Sequence, residues 1–347
     1  MGRVKLGFAG LEVDFVDRER ALEQVRELGE KGTFPVYVIY GPEGCGKSAL
    51  LRQASEILEG DLGYYVLYVN PLAERLEEVL GFTPSMGDVV REVFSLLPEP
   101  YSRIVDAAVS VAYRVLKRFP RPRLAVLMDD IFQAVGLDKA EAYVKTLLNL
   151  IEHPPAGYEK IVVLVTSSEG VTRERVGRHN WADIFVLWNM QREGFKELYN
   201  ILPGSKPSFE DVMRWVGGNP RYLEKLFKSG WRVEKVVNSL VEDRGLPELI
   251  LSLSSAERRV LEEAVEDPDV LLERYEEAED LVLKLVEKNL VLRVKGRDLD
   301  AWIDTPPPEK DLELGIGRHY AWQTPLHREA VKRAIDQLTG RVKGGEN

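Results

Sequence analysis

Between Pro35 and Leu58 the chain passes through three distinct textures. Pro35-Val36-Tyr37-Val38-Ile39-Tyr40 is an apolar run of strand length, Gly41-Pro42-Glu43-Gly44-Cys45-Gly46-Lys47-Ser48 is a glycine-rich loop, and Ser48 to Leu58 reads as a helix. No other stretch constrains the fold as strongly. The loop satisfies G-x-x-x-x-G-K-[ST], the phosphate-loop pattern, and the flanking strand and helix are the context that pattern requires. The glycines let backbone N–H groups curl around phosphate oxygens, and the helix N-terminus adds its dipole. Gly41, Pro42, Glu43, Gly44, Cys45, Gly46, Lys47, Ser48 and Ala49 are therefore the expected nucleotide-phosphate-binding residues. Lys47 is expected at the β- and γ-phosphates and Ser48 at Mg²⁺.

A second run supplies the partner acids. Arg123-Leu124-Ala125-Val126-Leu127-Met128 leads straight into Asp129 and Asp130, and a continuous apolar run of that length reads as a buried parallel strand. Adjacent carboxylates at its end are costly unless they serve a cation. Asp129 is the expected Mg²⁺ ligand, acting through water, and Asp130 the residue expected to orient or deprotonate the attacking water.

Length and composition set the outer bounds. A chain of 347 residues that is 44% hydrophobic accommodates two or three domains with real cores. No apolar run reaches the roughly 18 residues of a membrane helix, and no signal-peptide pattern opens the chain. Cys45 is the single cysteine, so no internal disulfide forms. These features point to a cytoplasmic setting without a membrane partner. The net charge of −10 disfavours DNA as the main partner, because phosphate contacts need Lys and Arg. Charged residues make up 30% of the chain, a composition that leans toward a thermophile. The four histidines, His153, His179, His319 and His327, lack metal-ligand spacing.

Strands are expected at about 36–40, 64–70, 123–130, 161–166 and 183–188, alternating with helices, and hence a parallel sheet covered on both faces. A long helical insertion around 87–118 separates the second and third of these strands. The distance from loop to acids leaves room for a further strand between theirs. From 191 to 245 the pattern is helical, with Ser208 starting one helix and Gly217-Gly218-Asn219-Pro220 starting another. Ser254-Ser255-Ala256-Glu257 is a capping box. Leu290-Val291-Leu292-Arg293-Val294 and Leu299-Asp300-Ala301-Trp302-Ile303 read as a hairpin through Gly296-Arg297-Asp298, followed by a helix from about Pro325 to Leu338. The expected division is an ATPase domain over 1–190, a helical lid over 191–245 and a winged helix-turn-helix over 246–347.

With these motifs in order, the chain resembles the archaeal ATPase family within the STAND branch of P-loop nucleoside triphosphatases. Phe15-Val16-Asp17-Arg18-Glu19 resembles that family's opening box near the adenine, which implies a base contact for Val16. Gly217-Gly218-Asn219-Pro220-Arg221-Tyr222-Leu223 resembles its lid motif, in which the proline, here Pro220, packs on the adenine with Arg221 beside it. Thr166-Ser167-Ser168 stands where many members carry Thr-Thr-Arg, so Ser167 falls at the nucleotide and that arginine is absent. Gly177-Arg178 takes the place of a Gly-Arg pair.

The resemblance implies an α/β fold: a parallel-sheet, additional-strand P-loop NTPase of AAA+/STAND type, with helical lid and C-terminal winged helix. It implies a Mg²⁺-dependent, slow ATP-hydrolysing switch that works on a protein partner or by self-association. Arg178 is the favoured transition-state arginine, with Arg173 and Arg175 as rivals. The alternative is an AAA+ initiator resembling archaeal origin-recognition proteins, with Arg221 as a second-sensor arginine and the winged helix on DNA. Charge argues against that alternative. The candidate recognition segment Glu273–Asp280 is acidic, and only Arg293, Lys295 and Arg297 of the wing are basic.

Overall fold

The apolar runs become neighbours in one sheet. A computed structural model describes residues 2–73, 79–95, 104–168, 176–177, 180–294 and 296–344. The chain divides into two compact units. The first comprises Met1–Leu6, Arg18–Gly41 and Lys47–Leu187, and the second Gly7–Asp17, Pro42–Gly46 and Trp188–Asn347.

Two short strands, β1 (Lys5–Phe8) and β2 (Leu11–Asp14), pair with each other. Then come α1 (Glu19–Lys31), β3 (Val36–Tyr40), α2 (Lys47–Glu56), β4 (Tyr65–Val69), β5 (Leu80–Phe82), α3 (Gly87–Ser95), α4 (Ile104–Arg118), β6 (Arg123–Met128), α5 (Ile131–Val135), α6 (Leu137–Glu152), β7 (Lys160–Ser167) and β8 (Ala182–Leu187). In the first unit the strands lie in the order β8-β3-β7-β6-β4-β5. All neighbours are parallel except β5, which runs antiparallel to β4 at the edge. The further strand expected between loop and acids is β7, which pairs with β3 on one side and β6 on the other.

Register aligns the carboxyl ends. Tyr40 is opposite Ser167, Met128 opposite Val165, and Val69 opposite Met128. Polar residues that follow these apolar runs therefore gather along one edge, where ligands bind in open α/β sheets. Helices cover the strands by burying apolar stripes. In α4, Ile104, Ala108, Val111, Ala112 and Val115 are all buried, each large side chain contributing roughly 1.5–3 kcal/mol. Lys117 and Arg118 in its last turn complement the helix dipole. The helical insertion is thus α3 and α4, with 96–103 outside the described residues.

The second unit is mainly helical: α7 (Arg192–Ile201), α8 (Phe209–Val216), α9 (Pro220–Lys228), α10 (Val233–Asp243), α11 (Leu246–Leu251), α12 (Ser255–Glu266), α13 (Val270–Glu273) and α14 (Tyr275–Glu287). Strands β9 (Val291–Arg293), β10 (Trp302–Ile303) and β11 (Tyr320–Trp322) precede the terminal helix α15 (Pro325–Gly344). The caps form where expected. Ser208 accepts from the Asp211 N–H, Asn219 caps α9 with Pro220 in its first turn, and Ser254 and Glu257 make a reciprocal capping box. Helix α15 packs against α8, α10, α11 and α12, so helices before and after residue 246 share one core.

The expected hairpin is corrected. β9 pairs antiparallel not with 299–303 but with β11, Trp322 lying opposite Val291 and Tyr320 opposite Arg293. Leu299–Ala301 instead forms a short 3₁₀ turn capped by Asp298, and the buried Trp302 donates its indole N–H to the Gly296 carbonyl at 2.8 Å. Arg297 donates to the carbonyls of Pro308, Glu309, Gly317 and Arg318. The Asp269 carboxylate accepts from the backbone N–H groups of Arg318 and His319 at 2.8 and 2.7 Å. These bonds fix the stretch leading into β11. Arg297 is thereby committed to structure rather than to a basic wing, and Lys295 lies outside the described residues. Tyr320, Trp322 and Trp302 are core.

Candidate functional site

The phosphate loop is shaped by its glycines. Gly44 and Gly46 have φ of 78° and 107°, a region other residues enter only under strain. A Cβ on Gly41 would lie 2.0 Å from the Leu187 carbonyl oxygen, so a side chain there would push β8 away. The Cys45 N–H bonds the Pro42 carbonyl at 3.2 Å, closing the turn, and the Cys45 thiol is buried. Lys47 is 4% exposed, and its ammonium donates to the Gly41 carbonyl at 2.9 Å. Ser48 follows in the first turn of α2, beside Ala49.

The acids sit at the end of β6. Asp129 is 1% exposed and fully engaged. Its Oδ1 accepts from Ser48 Oγ at 3.1 Å and Thr166 Oγ1 at 2.5 Å, and its Oδ2 from the Tyr68 hydroxyl at 2.9 Å and Asn70 Nδ2 at 3.4 Å. Asp130 is different. Its backbone turns left-handed, with φ 47°, and its N–H bonds Thr166 Oγ1 at 2.9 Å. Ser168 Oγ donates to its Oδ2 at 3.4 Å, but Oδ1 is buried without a hydrogen-bond partner among the described residues. Burial pushes the Asp130 carboxyl above the usual range, Lys47 pulls it back, and Asp129 adds to the rise.

A buried carboxylate, Asp129, and a half-buried one, Asp130, whose Oδ1 is buried and orphaned among the described residues, beside a serine hydroxyl and a lysine suit a hard cation and a polyphosphate. No group of three or more candidate metal ligands occurs among the described residues.

Thr166, Tyr68 and Asn70 were not among the expected site residues. Each lies at or just beyond the end of a strand flanking β6. The signal for them was a polar residue closing an apolar run, Val165-Thr166 and Val69-Asn70, and it acquires meaning only through register. Ser167, which was expected, is buried at the same edge. Arg178, with its rivals Arg173 and Arg175, lies outside the described residues.

The crown of the loop is built into the second unit. Glu43 N–H donates to Gln323 Oε1 at 2.9 Å, and the Glu43 carbonyl accepts from Asn219 Nδ2 at 3.0 Å. Asn219 also donates to Asn189 Oδ1 at 2.8 Å. The Arg221 N–H bonds the Gly44 carbonyl at 3.3 Å, and a Cβ on Gly44 would lie 2.3 Å from Arg221 Cβ. Arg244 pairs with the Glu43 carboxylate, and the Arg221 guanidinium approaches it at 3.8 Å. Burial raises the Glu43 carboxyl, but the Arg244 hydrogen bond and charge outweigh it and hold it below its ordinary value. Behind this pair Tyr222 bonds His327 Nε2 at 3.1 Å, and Thr324 bonds His327 Nδ1 at 2.8 Å. Burial drives the His327 pKa down to about 3 and, with Glu43, the Tyr222 pKa up to about 12. Val16 and Pro220 are half-buried in this unit.

A family described as an ATPase domain predominantly from Archaea matches residues 15–226. An uncharacterized ATP-binding protein of Pyrococcus abyssi is 22% identical over 341 residues, covering 93% of this chain and 98% of that one. An uncharacterized ATP-binding protein of Methanocaldococcus jannaschii is 24% identical over 193 residues, 54% of this chain and 48% of its own length. The Aeropyrum pernix ORC2 protein in its ADP form aligns over 92% of this chain and 93% of its own at 17% identity, with a TM-score of 0.43. The family match spans the loop, both acids and the helix-capping Asn219-Pro220, the same elements that build the site. This chain belongs to the archaeal ATPase-domain family.

Proposed function

We propose that the chain binds ATP with Mg²⁺, hydrolyses it slowly, and uses the nucleotide state to reposition its C-terminal helical and winged-helix region toward a protein partner or a second copy. The observation that carries this reading is the orphaned Oδ1 of Asp130, buried beside Lys47 and next to an Asp129 already tied to Ser48. Loop N–H groups and Lys47 take the phosphates, and Ser48 with Asp129 hold the cation, which neutralises phosphate charge. Asp130 orients the attacking water and accepts its proton, a task helped by a carboxyl raised above the usual range. Within the first unit, Ala49 and Ser167 serve the phosphates beside Lys47; Val16 and Pro220, in the second unit, are the residues proposed for the adenine. Arg178 supplies transition-state charge. Glu43 is the transmitter, because this loop residue bonds Gln323 and Asn219 through its main chain and Arg244 through its carboxylate.

A second reading, an initiator-type AAA+ ATPase on DNA, rests on Arg221, whose N–H bonds Gly44 at the first turn of α9. The acidic first turn of α14, with Glu276 and Glu277, weighs against it.

The test is phosphate release by the full chain with and without Mg²⁺, and with duplex DNA added. Mg²⁺-dependent release is expected, unchanged by DNA. Lys47→Ala should lower ATP affinity roughly a hundredfold, about 3 kcal/mol, by removing the main side-chain positive charge. Asp129→Asn should raise the Mg²⁺ concentration needed. Absence of Mg²⁺-dependent release from the full chain would overturn hydrolysis, and strong stimulation by DNA would favour the second reading.

A further inference from the structure

A recess of about 530 Å³ opens in the first unit, and no residue of the phosphate loop is among those that line it. Its lining includes Arg3, Lys5, Arg52, Ser55, Glu56 and Tyr68. Three cationic side chains meet one carboxylate there, in a chain whose net charge is −10. Arg3 shares its charge with Glu19 outside the recess. The N-terminal strand segment that forms one wall is pinned to α2, since Gln53 accepts from the Val4 N–H at 2.9 Å and donates to the Gly2 carbonyl at 3.1 Å. The wall is therefore built rather than a loose tail.

Tyr68 connects this recess to the acids. It is 7% exposed, and its hydroxyl donates to Asp129 Oδ2 at 2.9 Å. From the recess side it feels the Arg52 guanidinium, through a side-chain hydrogen bond and through its charge. Arg52 stands one helical turn beyond Ser48 on α2, so both project from the same helix face. An anion in the recess would meet Arg52 first and alter the bond that Tyr68 makes to the cation-holding carboxylate. The cationic side chains of the lining and the volume suit a small molecule with two adjacent phosphates.

We infer that the recess framed by Arg3, Lys5 and Arg52 is a second anion site, for a small diphosphate-bearing molecule, set against the Asp129 ligand through Tyr68. Its role toward Asp129 rests on the nucleotide reading above; binding itself does not.

Inorganic pyrophosphate, titrated calorimetrically in EDTA, is the probe. One arm uses the full chain with Lys47→Ala, which disables the phosphate loop. The other uses the unaltered chain saturated with ADP. In both arms one equivalent of pyrophosphate is expected to bind, weakening steeply with salt. The Lys5→Gln/Arg52→Gln double variant should lose that binding at least tenfold while keeping its ADP affinity. Absence of binding to the Lys47→Ala chain, or equal binding by the double variant, overturns the site. Failure of the unaltered chain to bind ADP would instead sink the nucleotide reading, and the Lys47→Ala arm would still judge the recess.

Discussion

The strand ends of the first unit and the loop crown of the second both hold carboxylates wholly or partly out of solvent, but they treat charge in opposite ways. At the strand ends Asp129 and Asp130 stand side by side, and one oxygen of Asp130 has no partner among the described residues. At the crown Glu43 has its charge met by Arg244 and Arg221 and its main chain met by Gln323 and Asn219. Burial raises the Asp130 carboxyl, whereas Arg244 overcomes burial and lowers that of Glu43. A buried charge left short of its counter-charge is held for something that arrives later. A buried charge that is matched holds two pieces of chain together, and breaking the match is what costs.

The largest expected effect tests the unmatched side. Asp130→Asn should cut phosphate release by roughly 10²–10⁴, the usual worth of a general base. The same change should raise the melting temperature of the nucleotide-free chain at pH 7, because it removes a poorly solvated charge. With the folded carboxyl raised, that cost is present above its folded pKa and is relieved as pH falls through it. The melting gap between variant and parent should therefore narrow toward acid. A variant that melts lower and hydrolyses normally would break the comparison.

His327 gives the opposite sign on the matched side. Its pKa falls to about 3 in the fold from an ordinary 6.5. Neutral His327 thus contributes fully above pH 6.5, and its contribution is lost as pH falls from there toward 3. At pH 5 the loss is about 2 kcal/mol. Urea unfolding at pH 7 and pH 5 should show this difference in the parent chain and a smaller one in His327→Gln. Identical pH dependence in the two chains would remove His327 from the account.

The smallest effect concerns the ion pair itself. Glu43 and Arg244 are 26% and 21% exposed, so solvent screens part of the pair. Arg244→Ala should cost about 1–2 kcal/mol, mostly from stranding Glu43. Adding Glu43→Gln should recover part of that loss, and a double-mutant cycle reads the coupling directly. A coupling of zero would mean that the main-chain bonds to Gln323 and Asn219 hold the crown without the carboxylate.

Much of the sheet was legible because each parallel strand is buried on both faces, and burial demands the continuous apolar run that pattern reading detects. The caps at Ser208, Asn219 and Ser254 were legible for a local reason: each side chain bonds a backbone N–H three residues on. The pairing of β9 with β11 was not. A Gly-Arg-Asp turn is a fair local hairpin signal, and it was overruled by Arg297 reaching four distant carbonyls and Asp269 gathering distant N–H groups. No property of residues 290–303 alone contains those partners.

From its sequence alone the chain fixes a phosphate loop, a strand ending in paired acids, and membership of the fold class that places them together, because those features depend on runs of neighbouring residues. Tertiary structure decided what the acids and the loop are bonded to. Thr166 bridges Asp129 and Asp130 only because β7 lies next to β6 in register, and Tyr68 reaches Asp129 only because β4 lies on the other side. Glu43 meets Arg244 across about two hundred residues of chain. Hydrogen bonds and ion pairs act over a few ångströms of space whatever the separation along the chain, so the local pattern shows which groups need partners and the fold decides which partners they get.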